Sequence, residues 1–496
     1  MPKHLWRAVF VIVLVTIVVR AASLVARYDI DDEAIYSVVA NEIVDGGRPY
    51  ADATDSKPPL LFWTYAAVFK LTGKYNWFAL HAGALVWTLA TMAALYLIGR
   101  RLFDVQTGLV AALLYGIFHS WGPDKTLCFD GELLMNLPIA WAYAIALRPR
   151  NSTAPPALLV SGGLLAVAFL LKQPAAIAAV PLGIYFLLPA YRDRRELPKA
   201  IGRAALFASA FCITLGIFSV ILWKQGILSE AFYWTVSEHT IRHMFWDRAA
   251  VNTAAFVACC LPLILGAIFS LRRKYGIWGQ SPERTALVLL LFVSIIGVMA
   301  GSRFFPHYYI QLILPFAILA APFYSRLWSD EIVVGKWFRP SVTYIWLGVT
   351  VFAFFIVSLS RATLKPEPRE AARYILEHSA PTDRIFVWGQ HPGLYLESQR
   401  RPACRYVTTY FLTGYLFGHD VPGLDHRTLI QDWAWKDLEN DFARHPPAYI
   451  IDTEVTPNAL SPIKDFPALA VLLKVQYQQI ARLHDAVIYR RRSDSF

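Results

Sequence analysis

Residues 28–61 read YDIDDEAIYSVVANEIVDGGRPYADATDSKPPLL, an acidic and aromatic segment closed by a proline pair. It lies between two runs, near 8–27 and 78–98, that are apolar enough to cross a bilayer. Four acids, Asp29, Asp31, Asp32 and Glu33, crowd its start. Carboxylates beside hydrocarbon are unfavourable unless they line a wet cavity and act there. The segment therefore points to chemistry at a membrane face, with a general base as the natural role for one of its acids.

The composition around this loop agrees with a membrane setting. Hydrophobic residues make up 56% of the 496 and charged residues 17%, and the mean hydropathy is +0.41. A soluble globule carries about a quarter of its residues charged. The net charge of +11 comes from Lys and Arg in short clusters between apolar runs. Membrane topology explains that pattern and a nucleic-acid surface does not. The five cysteines (128, 212, 259, 260 and 404) show no metal-ligand spacing and read as packing residues.

Further apolar runs near 107–120, 133–147, 156–171, 174–190, 203–223, 251–271, 285–300, 308–326 and 341–360 bring the expected count to about eleven spans. Lys3 and Arg7 before an apolar core are also the pattern of a cleavable signal, but Arg20 and the lack of a clear small-x-small site argue for an uncleaved anchor. With the N-terminus cytoplasmic, the basic clusters at 100–101, 148–150, 192–199, 272–274 and 326–339 all fall inside. The loop 28–77, the segments 121–132 and 224–250, the junction SRFFPHYY and everything after 361 then lie outside. After Arg361 the chain turns Pro-rich and charged, then alternates strand-like DRIFVWG and AYIIDT with helix-like LIQDWAWKDLENDFARH. The expected fold is an α-helical polytopic membrane domain over 1–361 and a small extracytoplasmic α/β domain over 362–496.

Within the opening segment, D-E-x-x-Y (Asp32–Tyr36), G-x-P-Y (Gly47–Tyr50) and K-P-P-L (Lys57–Leu60) follow in order, and SRFFPHYYIQLILP stands far downstream. This ordered set resembles the GT-C glycosyltransferases of the bacterial family-39 and aminoarabinose-transferase-like type, over most of the chain. The resemblance implies an inverting enzyme that moves a hexosyl or pentosyl unit from a polyprenyl-phosphate donor to a hydroxyl acceptor. That acceptor is a lipid, a glycan or a protein outside the cytoplasm. It also implies a bacterial inner (plasma) membrane location, contact with membrane lipids and no nucleic acid.

By position in the motif, Asp32 matches the family's catalytic acid, with Asp31 and Glu33 as neighbouring alternatives. A helix running on from Ala34 puts Asp32 and Tyr36 on one face; the plainer role for Asp32 is a helix cap. Lys57, stiffened by Pro58 and Pro59, is the first candidate to bind donor phosphate, against a plain role as a snorkelling lysine. Arg303 and His307 offer a guanidinium and an imidazole suited to phosphate or to interfacial anchoring, and Lys172 stands before Pro174 in a similar setting. Asp55, Asp130 and Glu132 are supporting acids. A divalent cation is the one cofactor they leave open. His239 and His243, four apart in EHTIRHMFWDR, read as structural for want of a third ligand. A transporter of lipid-linked sugars is the rival from another class, but it calls for mid-membrane charges and repeat symmetry, whereas here the charges gather at one face.

Overall fold

The computed structural model describes residues 3–25, 31–122, 124–147, 154–237, 244–275, 277–279, 281–335, 338–363, 370–415, 424–455 and 459–492. In chain order the helices are α1 (Lys3–Val25), α2 (Asp31–Val44), α3 (Pro59–Thr72), α4 (Trp77–Leu102), α5 (Val105–Phe118), α6 (Gly131–Ala146), α7 (Pro155–Leu171), α8 (Ala179–Arg192), α9 (Leu197–Lys224), α10 (Leu228–Phe232), α11 (Trp246–Cys259), α12 (Leu261–Leu271), α13 (Pro282–Ala300), α14 (Ile310–Trp328) and α15 (Pro340–Thr363). There follow α16 (Glu370–His378), β1 (Arg384–Trp388), α17 (Gly393–Glu397), β2 (Arg401–Pro402), α18 (Tyr410–Thr413), α19 (Asp432–Arg444), β3 (Tyr449–Asp452), α20 (Pro467–Gln476), β4 (Tyr477–Arg482) and β5 (Val487–Arg491). They form two compact units. The first takes in 1–26, 80–221 and 242–364, the second 27–79, 222–241 and 365–496.

The first unit is a helical membrane bundle. Among the described residues, seven stretches are long and apolar enough to cross a membrane: His4–Leu24, Trp77–Leu102, Gln173–Tyr191, Arg194–Lys224, Pro282–Ala300, Pro306–Trp328 and Pro340–Ser360. The pair α11 and α12, bent by 76° at Cys260, is long and apolar enough only when its two helices are taken together. The three other expected spans are α5, α6 and α7, of 14, 16 and 17 residues. At about 1.5 Å per residue they fall short of about 30 Å of hydrocarbon. They are held by their neighbours instead: α6 lies along α7, and α5 lies along α14 and α1. The 306–328 span is 89% enclosed and forms the centre of the unit, whereas 194–224 and 340–360 are 17% enclosed and lie at its rim. Small residues allow the close crossings. A Cβ on Gly162 of α7 would stand 2.2 Å from the Phe207 carbonyl oxygen of α9.

The second unit contains the opening loop together with the C-terminal residues. Its sheet runs β2-β1-β3-β5-β4. β1 pairs in parallel with β2 and β3, and β5 runs antiparallel to β3 and β4. The inner strand β1 is apolar from Ile385 to Trp388 because both its faces are covered. Trp388 ends it fully buried against Trp435 and Phe466, and its indole N–H donates to the Ser461 carbonyl at 2.8 Å. β4 follows α20 with no turn residue between them, which hides it in the sequence. The loop is tied to this domain by backbone and charge. The Thr54 N–H donates to the Arg405 carbonyl at 2.8 Å. Buried Glu42 of α2 accepts from Arg401 at 2.7 and 2.5 Å and lies 3.6 Å from Arg384.

Burial pushes the Asp452 carboxyl at the end of β3 up to about 6, from an ordinary 3.8. A carboxyl raised in the folded state favours folding below about pH 4 and loses that contribution as pH rises through about 6. Asp452→Asn keeps the carbonyl oxygen that accepts from the Glu454 N–H at 3.0 Å and removes the charge. Its expected effect is a higher unfolding temperature of this unit at pH 7–8 and no change near pH 4, followed by thermal denaturation across pH. Equal shifts at both ends would contradict the assignment.

Candidate functional site

In the second unit the geometry is built on α2. The helix begins at Asp31, so Asp32 sits half-buried in its first turn, where the helix dipole favours a carboxylate. Glu33 is buried. Asp29 and the side chain of Asp31 lie outside the described residues. One turn after Asp32, Tyr36 is buried edge-on against Phe62 and Tyr65, with ring centroids 6.2 and 5.7 Å away. The ammonium of Lys57 lies 5.7 Å over the Tyr36 ring and 3.3 Å from Asp55 Oδ2. The motif's tyrosine thus lies under its lysine and one helical turn from its acid.

Two local features aim Lys57. Pro58 is extended and Pro59 opens α3, where a missing N–H costs nothing. Tyr50 braces the turn from the other side: its hydroxyl donates to the Lys57 carbonyl at 2.7 Å, and its N–H donates to the Ala53 carbonyl at 2.8 Å. Its φ of 67° is left-handed, a conformation that a bulky side chain holds only where its surroundings enforce it. Burial pushes the Tyr50 phenol well above its ordinary value, so it stays a donor. Tyr50 is visible in the sequence only as part of G-x-P-Y, without a role.

In the first unit a second constellation forms among three segments distant in sequence. Asp130 caps α6, accepting from the Gly131 N–H at 2.5 Å, and its Oδ2 lies 3.7 Å from His307 Nε2. One residue into α6, Glu132 lies 3.0 Å from the ammonium of Lys172. All four side chains are buried. Lys172 stands where α7 ends, with Pro174 breaking the line of the helix, and its ammonium is 5.7 Å over the Tyr308 ring. Buried charges require partners, and these are arranged base to acid.

Two features place the segment that carries Asp130. Arg20, fully buried in α1, donates to His119 Nε2 at 3.0 Å and to the Leu127 carbonyl at 2.6 Å. That fixes His119 as the neutral tautomer, whose Nδ1–H faces the Tyr115 and Gly116 carbonyls. On the other side, Phe305 of the SRFFPHYY junction stacks on His307 at 5.8 Å and 13°. The Phe305 ring also meets Lys125 at 5.2 Å and the Arg248 guanidinium at 4.9 Å. Lys125 went unremarked in the sequence because its place beside the junction depends on tertiary structure. Arg303 lies half-buried in the same junction. Glu238, His239, Arg242 and His243 lie outside the described residues.

Asp130, Glu132 and His307 each offer a ligand atom, all within 4.8 Å of one another. Glu132 Oε2 is buried and accepts no hydrogen bond among the described residues. Two carboxylates and an imidazole fit a divalent cation such as zinc or manganese.

Residues 56–223 match the family model described as dolichyl-phosphate-mannose-protein mannosyltransferase. No curated protein matches the chain in sequence. Among solved structures, ArnT from Cupriavidus metallidurans bound to undecaprenyl phosphate superimposes with a TM-score of 0.62 at 14% identity, covering 98% of each chain. The Archaeoglobus fulgidus oligosaccharyltransferase in its apo form gives 0.55 at 11% identity, over 90% of this chain and 69% of that one. AglB from the same organism, with an inhibitory peptide and a dolichol-phosphate, gives 0.54 at 11%, over 100% and 75%. The chain has the GT-C fold of the ArnT-like type, an integral membrane fold.

The pairing in the bundle has a direct check. Lys172→Met leaves Glu132 buried without its ammonium and is expected to cost about 3 kcal/mol or more, seen as a fall in unfolding temperature in detergent. Adding Glu132→Gln should recover most of the loss. Strictly additive losses would show that the two side chains do not depend on each other.

Proposed function

We propose that the chain is an inverting glycosyltransferase that moves a monosaccharide from a polyprenyl-phosphate donor to a hydroxyl on a lipid, glycan or protein. The reaction takes place at the extracytoplasmic face of a bacterial inner membrane. The observation that carries the reading is Lys57 seated over Tyr36, one helical turn from Asp32. Glycosyl transfer from a lipid phosphate needs this pair of functions, a carboxylate to take a proton and a fixed cation to hold a departing phosphate. The GT-C fold and the partial match to a lipid-phosphate-dependent mannosyltransferase model support it.

In the reaction the acceptor hydroxyl gives its proton to the Asp32 carboxylate as its oxygen bonds to the anomeric carbon. The bond from that carbon to the phosphate oxygen breaks, and its electron pair leaves with the polyprenyl phosphate. A single displacement inverts the anomeric centre. Lys57 stabilises the charge gathering on the leaving phosphate, with Asp55 at 3.3 Å holding the ammonium in place. In the first unit, Arg303, His307 and Lys172 are the candidates to hold phosphate. Tyr36 and Tyr50 keep acid and lysine rigid, so little reorganisation accompanies the charge shift. Asp31 and Glu33 are the alternative bases. A divalent cation held by Asp130, Glu132 and His307 would supply Lewis-acid neutralisation of phosphate charge.

Radiolabelled transfer from polyprenyl-phosphate sugars by purified protein, with mixed cell-envelope acceptors, tests this reading. Asp32→Asn is expected to fold and bind donor while transfer falls at least about a hundredfold. Lys57→Ala is expected to weaken donor binding about tenfold or more. Wild-type transfer by Asp32→Asn, or unchanged donor affinity in Lys57→Ala, would overturn the respective role.

A further inference from the structure

We propose that Trp234 and Thr235, in the one-turn π-helix Tyr233–Ser237, are positioning residues for Lys57 that act through the Tyr50 turn. The turn follows α10 directly and belongs to the second unit, with the opening loop and the α/β domain. A π-helix is rare and occurs mostly as a single turn, frequently at a functional site. Here two successive side chains face inward: Trp234 and Thr235 are buried, whereas Phe232, Tyr233 and Val236 are exposed. Trp234 fills a box of rings from the α/β domain, with centroids 4.9 Å away at Phe411, 5.9 Å at Trp433 and 6.5 Å at Tyr406. All three contacts are edge-on, an arrangement with a preferred geometry, so the box fixes the indole and with it the residue that follows.

From this anchor two short paths reach Lys57. In the first, the Thr235 hydroxyl meets the Tyr50 phenol as a hydrogen-bond partner, and the Tyr50 hydroxyl donates to the Lys57 carbonyl at 2.7 Å. In the second, Tyr406, one wall of the box, forms a backbone bridge with Thr54. Thr54 precedes Asp55, whose Oδ2 lies 3.3 Å from the Lys57 ammonium. The Tyr406 ring is itself tied down, its hydroxyl donating to Asp437 at 2.6 Å. The carbonyl of Lys57 and the carboxylate that pairs with its ammonium are thus both referred to one aromatic box. The left-handed φ of 67° at Tyr50 needs such outside support, because a bulky side chain does not hold it alone. A charge-stabilising group displaced by about 1 Å costs on the order of a hundredfold in rate, so residues that fix Lys57 without touching the reacting atoms bear on turnover. That consequence rests on the glycosyltransferase reading; the contacts do not.

The test uses the full chain in nanodiscs and three readouts: unfolding temperature, transfer kinetics from a polyprenyl-phosphate sugar, and the rate at which an amine-acylating reagent labels Lys57, read by peptide mass spectrometry. Thr235→Val removes the hydroxyl and keeps the branched shape. It is expected to lower kcat about fivefold or more with the acceptor KM unchanged, and to raise the Lys57 labelling rate several-fold. Thr235→Ser, which keeps the hydroxyl, should restore both. Tyr50→Phe takes away the group through which Thr235 acts, so adding Thr235→Val to it should cost nothing further. Wild-type kcat or a wild-type labelling rate in folded Thr235→Val overturns the proposal, and so do losses that simply add to those of Tyr50→Phe. If Thr235→Val does not fold, Trp234→Phe is read by the same two criteria. If the wild type transfers no sugar, the enzymatic reading falls and labelling alone decides: faster labelling in Thr235→Val keeps the coupling to Lys57, and an unchanged rate overturns it.

Discussion

The ion pair between Lys172 and Glu132, 3.0 Å apart and buried, is the constraint around which the membrane unit is arranged. A charge taken out of water needs a counter-charge at close range. The end of α7 and the start of α6 are therefore held together, and α6 and α7 lie side by side. Pro174 interrupts the helix beyond Lys172 and leaves its ammonium at the break. Asp130, one turn-cap away from Glu132, draws in His307 and with it the junction that leads into the enclosed helix α14. Arg20 then fixes the approach to Asp130 from the far side through His119 and the Leu127 carbonyl. A helical bundle in lipid gains little from apolar contact between helices, so polar links of this kind specify which segments meet.

The second unit is held by the same logic in wetter surroundings. Glu42 near the end of α2 receives Arg401 bidentately, with Arg384 near by, and Asp45 pairs with Lys74 at 2.8 Å. The Glu42 pairs attach the far end of α2 to the sheet and Asp45–Lys74 ties it to the turn after α3, while Tyr36 and Tyr50 order the end that carries Asp32 and Lys57. The α/β domain thereby serves as a mount for the acidic helix. Its own core is the buried edge of β1 and β3 around Trp388.

What the sequence discloses follows the range of each interaction. Asp32 and Tyr36 are four residues apart on a helix, and Lys57 and Asp55 are near neighbours, so both pairs are readable from spacing. That Lys57 reaches the Tyr36 ring depends on a left-handed Tyr50, which no propensity foretells. The meeting of Asp130 with His307, and of Phe305 with Lys125 and Arg248, joins segments far apart in the chain and is set by tertiary packing. Apolarity marked every helix of the bundle but not its length: α5, α6 and α7 are as apolar as the longer helices yet run to 14, 16 and 17 residues. In the α/β domain β1, β3, β5 and α19 stand out as short apolar or amphipathic runs, while β2 is two residues long.

The role proposed for the buried charges of the bundle is to serve an anionic lipid headgroup. A cryo-electron microscopy structure of the full chain in nanodiscs with undecaprenyl phosphate tests this most directly. The expected result is phosphate density within hydrogen-bond reach of Lys172 or His307, about 3 Å from nitrogen. Lipid bound with its phosphate away from both side chains, while the Lys172–Glu132 and Asp130–His307 pairs remain closed, would contradict it.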